Sequence, residues 1–569
     1  MDISLIKTVT LNSGATSEHP PLSFEAGPVN IIVGPNNSGK SLLLRELNDF
    51  LRERKPFDRC KILKEISFEE GVFEQAATDL RMHLRYATIE QKAQPDHIFV
   101  AKNGEHVQLA EKPLNEWIKA PAVNDPYGFF RAFLKLNTIK LDGPNRIGLV
   151  ADKELGDLQS EPKNRLAQLF AKDEARNELR GVIYDALKTY FVLDPTRVGH
   201  VRIRLSDRAP VSMIEEKGIH AESVAFHRSA LHIADASDGI KAFCGILAEL
   251  YAGDFRILLI DEPEAFLHPS LAFLLGKAVA AKARSSGKQL FISTHSASFL
   301  MGCIQSGAKT NVVRLTYSEK VATARLLPSA KLTTLMRNPL LRSAGILNGV
   351  FYEGVVVTEA DPDRAFYTEV NERILQKIPA KGARNCLFVN AQNKQTIHQI
   401  IKPLRELGIP AAGIVDIDII KEGGVVWSSF LKAGGIPESF IQPLGALRAS
   451  VKAELDKTGK DMKRDGGISI LSGDALRAMR ELCDALESHG LFVVRGGELE
   501  SWLSNLGVTG HGPTWLIPML ERLGEDPAAP DYVSASDNDV WEFMHGIAKW
   551  LSSAGRKGLD GLAPNIGPS

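Results

Sequence analysis

Four carboxylates of this chain fall in two short stretches, each at the end of an apolar run. Glu359 and Asp363 stand four apart in VVVTEADPDRAFY, and Asp416 and Asp418 stand two apart in AAGIVDID. On an extended segment, residues two apart share one face. Four negative charges at two strand ends repel one another unless cations lie between them. Magnesium is a hard ion satisfied by oxygen, and two such ions can clamp the attacking and leaving oxygens of a phosphodiester. The competing reading is a set of helix caps. Asp361, between the first pair, is expected to be a cap or a bystander. RGGELESWL adds Glu498 and Glu500 ahead of an apolar helix.

A second group of residues points to phosphate. IIVGPNNSGKSLLL, from Ile31 to Leu44, holds Gly34, four further residues (Pro35, Asn36, Asn37, Ser38), then Gly39, Lys40 and Ser41. Between an apolar strand and a helix, such a loop lets backbone N–H groups from Gly34 to Gly39 curl around phosphate oxygens, helped by the helix N-terminus. Lys40 would reach the β- and γ-phosphates of ATP, and Ser41 would ligate Mg²⁺. Downstream, ILLIDEPEAFLHP ends four apolar residues in Asp261 and Glu262. An acid at the end of a core strand is costly to bury without compensation. Asp261 would hold the magnesium through water, and Glu262 would orient or deprotonate the attacking water. His295, in STHS, is placed to sense the γ-phosphate.

These groups need strands to carry them. RILLID and KQLFIST read as buried strands, GIKAFCGILAELY and SLAFLLGKAVAAKA as helices, and TNVVRLTY with KVATARLL as a closing hairpin. KLTTLMRNPLLRSAG, with its internal proline, is the expected junction. Beyond it, GVVVTE, NCLFVN and AAGIVDID alternate with helical DRAFYTEVNERILQ and TIHQIIKPLRELG. That alternation implies a second parallel sheet, whose C-terminal edge is where such folds place their chemistry. DKTGKDMKRDGG, near Asp456, mixes both signs of charge and reads as a solvated loop.

Bulk properties bound the partners. At 569 residues the chain needs more than one core, and 44% hydrophobic with 24% charged residues is ordinary for soluble protein. A net charge of −1 gives no global field toward nucleic acid or membrane. Five scattered cysteines, the absence of a signal-like N-terminus and the lack of a long apolar run lead to the expectation of a cytoplasmic protein without a membrane partner.

The phosphate-site residues resemble those of ABC-type ATPase heads in chromosome-maintenance and recombination proteins. The resemblance implies that Ser237 and Gly239, in ADASDGIKAF, close on the nucleotide of an opposite subunit, although Asp238 replaces the usual first glycine. Glu359, Asp363, Asp416 and Asp418 resemble the Toprim pattern position by position, with Ala360 where that family has glycine. Both patterns in one chain resemble the OLD family of ATP-dependent nucleases. Its G-x-L-E segment matches Gly497–Glu500 and implies Glu500 as a further metal ligand, while Lys557 and Lys394 are candidates for a basic residue. The expected fold is therefore α/β. It comprises an ABC-type P-loop ATPase domain over 1–345, with a variable α/β insertion at about 55–227 that could serve dimerisation, and a Toprim domain with a C-terminal helical extension over 346–569. The resemblance implies an ATP- and Mg²⁺-dependent (or Mn²⁺-dependent) nuclease in defence against foreign DNA. It also implies a homodimer or larger even assembly and a partner protein encoded nearby. The alternatives are an RNase of the same chemistry and an ATP-dependent DNA-binding switch that cleaves nothing.

Overall fold

VNIIV is buried along its whole length because it is apolar on both faces, as a strand inside a parallel sheet must be. It forms β1 (Val29–Val33), which leads through the glycine loop into α1 (Lys40–Glu53). Leu43, Leu44, Leu47 and Leu51 recur on the buried side of α1, each worth about 2 kcal/mol on burial. The computed structural model describes residues 4–53, 57–85, 96–121, 123, 125–159, 162–318 and 320–553. Its chain parts into two units. One comprises Met1–Gly14, His19–Val33 and Asn37–Leu315, and the other Ala15–Glu18, Gly34–Asn36 and Thr316–Ser569.

In the first unit follow β2 (Thr138–Leu141), α2 (Asp238–Ala252), β3 (Ile257–Asp261), α3 (Pro269–Ser286), β4 (Gln289–Ser293) and β5 (Thr310–Ser318). Parallel pairing gives the order β5-β1-β4-β3-β2, with Ile31 and Ile260 both in register with Ile292. The strand ahead of His295 thus lies between the strand that feeds the glycine loop and the strand that ends in Asp261. This is the α/β core of the P-loop ATPase domain expected there. One expectation needs correcting. The stretch set aside as an insertion at about 55–227 contributes β2, an edge strand of the core sheet, because the apolar end of β3 pairs with Thr138–Leu141. Around it the segment forms its own antiparallel pieces, one built on Tyr190–Asp194 and His200–Ser206 and another on His97–Lys102 and Glu105–Ala110.

In the second unit, KLTTLMRNPLLRSAG forms two helices, Ser329–Arg337 and Pro339–Ser343. Then come β6 (Gly354–Thr358), α4 (Asp361–Lys377), β7 (Cys386–Asn390), α5 (Ile397–Glu406), β8 (Ala411–Asp416), α6 (Glu438–Lys457), α7 (Gly473–Ser488), β9 (Leu491–Val494), α8 (Pro513–Leu523) and α9 (Asp539–Ser552). The sheet is parallel, in the order β7-β6-β8-β9. β6 and β8 are neighbours, so their C-terminal ends place the two acidic stretches side by side. The two last helices share a core with α4. Trp515 is wholly buried, meets Phe366 edge-on at 5.2 Å, and lies in one cluster with Val540, Met544 and Ile547. No helix among the described residues is long and apolar enough to cross a membrane.

Candidate functional sites

The loop between β1 and α1 needs unusual backbone. Gly34, Asn37 and Gly39 have φ of 141°, 61° and 95°, and a Cβ on Gly39 would lie 2.4 Å from Ile62 Cδ1. Asn36 and Asn37 are exposed, whereas the Ser38 hydroxyl is buried with no hydrogen-bond partner. Lys40 opens α1 and is only 4% exposed. Burial pulls its ammonium down to about 8, against the opposing pull of Glu262, Asp261 and Glu264. The Ser41 hydroxyl donates to Asp261 Oδ1 at 2.9 Å, and the Ser293 hydroxyl donates to the same oxygen. The pair expected to share a magnesium ion is thus already together.

Glu262 sits at φ 50°, its N–H bonded to the Ser293 carbonyl at 3.0 Å. His295 Nε2 lies 3.3 Å from Glu262 Oε1. Burial, reinforced by Lys40, holds the His295 imidazole below its usual range and so favours the neutral ring. The structure adds two residues that the sequence did not single out. Glu264 accepts the His295 N–H at 2.7 Å, and the Arg146 guanidinium donates to the Glu262 carbonyl. Arg146 lies in a stretch without readable pattern, and nothing in its neighbours' spacing marks it. Ser237 caps α2 by accepting the Ile240 N–H, and a Cβ on Gly239 would meet the Phe266 carbonyl at 2.5 Å.

The acidic centre draws on the C-terminal ends of the second sheet's middle pair of strands. Glu359 follows β6, Asp363 lies in the first turn of α4, Asp416 ends β8 and Asp418 lies in the turn beyond it. One oxygen from each of Glu359, Asp416 and Asp418 lies within 4.8 Å of the other two. Glu359 Oε1 accepts the Asp416 N–H at 2.9 Å. Asp363 Oδ2 accepts the Ala360 N–H at 2.9 Å, so one of its oxygens does cap α4. Burial, with Asp416 beside it, pushes Glu359 up to about 8. The same two causes push Asp363 up to about 7. Asp416 is pushed up by burial only to about 6, because Lys463 opposes it. Asp418 Oδ1 is buried without a hydrogen-bond partner, while Oδ2 takes Lys394 at 2.7 Å. An all-oxygen donor set with an orphaned buried oxygen fits a hard divalent cation.

Glu500 is placed differently from the other four. Its Oε1 accepts the Gly512 N–H at 2.6 Å and lies 2.9 Å from His511 Nδ1. With Glu498 and His511 it forms an adjoining cluster, near enough for its charge to raise Asp363. Asp361 is peripheral. It is exposed, pairs with Arg364 at 2.8 Å and accepts from Asn390 at 2.9 Å. Lys394 also reaches Glu422 at 3.5 Å, and Lys557 lies outside the described residues. Lys463, in the run expected to be a solvated loop, instead directs its ammonium at the acids, 2.7 Å from Asp416.

A family model described as "AAA domain, putative AbiEii toxin, Type IV TA system" matches residues 98–301, a span that holds Arg146, Asp261, Glu262 and His295. No curated protein matches the chain. Solved structures similar to it include three SMC heads. One is bound to the C-winged helix domain of ScpA, with 10% identity, TM-score 0.33, and 57% of this chain and 99% of that one covered. The SMC head domain from Thermotoga maritima has 13% identity, TM-score 0.28 and coverage of 57% and 99%. A head with an extended coiled coil, bound to the C-terminal domain of ScpA derived from Pyrococcus furiosus, has 9% identity, TM-score 0.29 and coverage of 58% and 98%. The strand order, the glycine loop with its Ser41–Asp261 pair and the matched segment make the first unit a P-loop ATPase domain.

Proposed function

We propose that the chain is an ATP-regulated, metal-dependent nuclease, with an ABC-type ATPase head and a Toprim-like centre that cleaves or nicks DNA. The observation that carries the reading is the convergence of Glu359, Asp416 and Asp418 at neighbouring strand ends, with a buried Asp418 oxygen lacking a partner. Divalent metal bound there would polarise a phosphodiester and activate water. The chain's own part is to supply oxygens at fixed positions. Glu359 is held by the Asp416 backbone, Asp363 by the start of α4, and Asp418 by Lys394. At the head, Lys40 and the loop N–H groups would bind the phosphates of ATP, Ser41 and Asp261 its Mg²⁺, and Glu262 the water next to neutral His295. Nucleotide-driven pairing of two heads would govern assembly or access. The bond energy of ATP is not needed for phosphodiester hydrolysis. The toxin–antitoxin description of the matched model agrees with a role in defence.

The test is to incubate the protein with supercoiled plasmid, linear duplex and total RNA, with Mg²⁺ or Mn²⁺, with and without ATP. Cleavage of DNA that needs the divalent ion is expected. Cleavage of RNA alone would move the substrate. ATP hydrolysis with every nucleic acid left intact would sink the nuclease reading in favour of a binding switch.

A further inference from the structure

We propose that the ammonium of Lys463 takes the place of a second cation in the acidic centre, so that the centre binds one divalent ion instead of two. The proposal rests on the metal reading above. Lys463 Nζ lies 2.7 Å from Asp416 Oδ2, 3.5 Å from Glu498 Oε2 and 3.9 Å from Asp418 Oδ2. One positive charge therefore sits among three acids, on the side where Asp418 also meets Lys394. Glu498 is 7% exposed, and Lys463 is its only ion-pair partner among the described residues. A buried carboxylate without such a partner is costly. On the other side, neither Glu359 nor Asp363 has a lysine or arginine within ion-pair distance among the described residues, and Asp418 Oδ1 has no partner. A single divalent ion held by Glu359, Asp416 and Asp418 compensates that side. A second, beside Asp416 Oδ2 and Glu498, would meet the ammonium and be repelled by it.

Lys463 is held there by construction. Its N–H donates to Asp461 Oδ1 at 3.0 Å, and Asp461 in turn bonds Asp465 through both backbone and side chain. The loop presses on the RGG turn that carries Glu498 and Glu500. Gly497 has φ 128°, and a Cβ there would stand 2.0 Å from the Lys463 carbonyl oxygen. Ile468 N–H donates to the Arg495 carbonyl at 2.9 Å and fastens the loop's far end to the same turn. Gly497, ahead of Glu498, and Gly467, where a Cβ would collide with the Arg495 carbonyl, together let the lysine's loop approach. Lys463 is a positioning residue here: it fixes the number and place of the metal ions.

The experiment counts Mn²⁺ bound to the nucleotide-free full chain by calorimetry and by electron paramagnetic resonance. Ions are assigned to the centre by their loss in Asp416→Asn, since the carboxylate of Asp416 borders both positions. The expected counts are one for the wild type, one for Lys463→Arg, and two for Lys463→Met and for Lys463→Gln. Two ions in the wild type, which needs no variant, overturn the proposal, and so does a count that stays at one in both neutral variants. No ion in the wild type removes the metal reading and this proposal together. One ion in the wild type and two in the neutral variants, without cleavage of any nucleic acid, removes the nuclease reading and leaves the proposal standing.

Discussion

Around Lys40, burial holds an ammonium down to about 8; around Glu359, burial and a neighbouring acid hold a carboxyl up to about 8. Both groups lie at the C-terminal edge of a parallel sheet, and both resist the charge that burial makes expensive. The signs are opposite, so the ligands that would relieve them are opposite too: a polyphosphate at the first and a divalent cation at the second. They differ also in how their acids are treated. Asp261 is satisfied by two serine hydroxyls, whereas Glu359 and Asp363 lie against the like charge of Asp416. A carboxylate made comfortable by hydroxyls can wait for a metal that arrives with its nucleotide. Carboxylates crowded together need the metal itself.

The comparison breaks first if the two sites cannot be lost separately. Asp416→Ala removes an oxygen that lies beside Glu359, Asp418 and Lys463. Divalent-ion-dependent cleavage should fall by at least about 100-fold, the upper end for residues that merely orient metal ligands. Binding of ATP by the same variant, followed by calorimetry, should stay as in the wild type. Reduced ATP affinity in Asp416→Ala would mean the sites are one system.

The mirror-image variant is Lys40→Ala. A charge-assisted hydrogen bond is worth about 1.5–3 kcal/mol, or roughly 10- to 150-fold in affinity for each one lost. ATP affinity should drop by that order, while Mn²⁺ affinity at the acidic centre should not move.

Titration sharpens the contrast, because the opposite signs give opposite pH dependences. In the metal-free protein the folded-state carboxyls of Asp416, Asp363 and Glu359 stand at about 6, 7 and 8, above their unfolded values. Raised folded values mean that their contribution to stability is complete below about pH 4 and is lost as pH rises through 6 to 8. The melting temperature without divalent ions should therefore decline over that window, and Mn²⁺ should restore it. Mn²⁺ affinity should climb over the same window as protons leave. ATP affinity of the free head should instead weaken as pH passes about 8, where Lys40 gives up its charge. Parallel profiles for the two ligands would contradict the electrostatic reading.

The same contrast explains what was legible in the sequence. The proposed phosphate site is local: backbone from six consecutive residues would do the binding, so the spacing of Gly34, Gly39 and Lys40 exposes it. Its remote supports, Arg146 and Glu264, were not visible, because a single arginine or glutamate acquires its role only from the strand ends it meets. The parallel sheet of the second unit was readable from its buried β-branched runs, and the strand ends located Glu359 and Asp416. Of the two lysines at the acids, Lys394 was already a candidate through the family resemblance, whereas Lys463 was not readable. Lys463 sits in DKTGKDMKRDGG, where charges of both signs look like solvated surface, and only the approach of that loop to Gly497 turns one of them inward. β2 escaped for a related reason. Four residues, TIKL, alternate like any short edge, and it is pairing with Ile257–Ile260 that makes them part of the core.

The smallest expected effect separates two acids that the sequence places two residues apart. Asp363 is buried, caps α4 through Ala360 and feels Asp416 and Glu500. Asp361 is exposed, and Arg364 holds its carboxyl below the usual range. An exposed ion pair of this kind is worth about 0–1 kcal/mol. Asp361→Ala should therefore shift stability by no more than that and leave Mn²⁺ affinity and cleavage within about twofold of the wild type, since a loss of 1 kcal/mol outside the centre has no route to the metal. Asp363→Ala should lose both the cap and an oxygen of the centre. If Asp361→Ala weakened Mn²⁺ binding as much as Asp363→Ala, the acids would act as a diffuse negative surface, and the distinction between a built metal centre and a row of helix-start acids would fail.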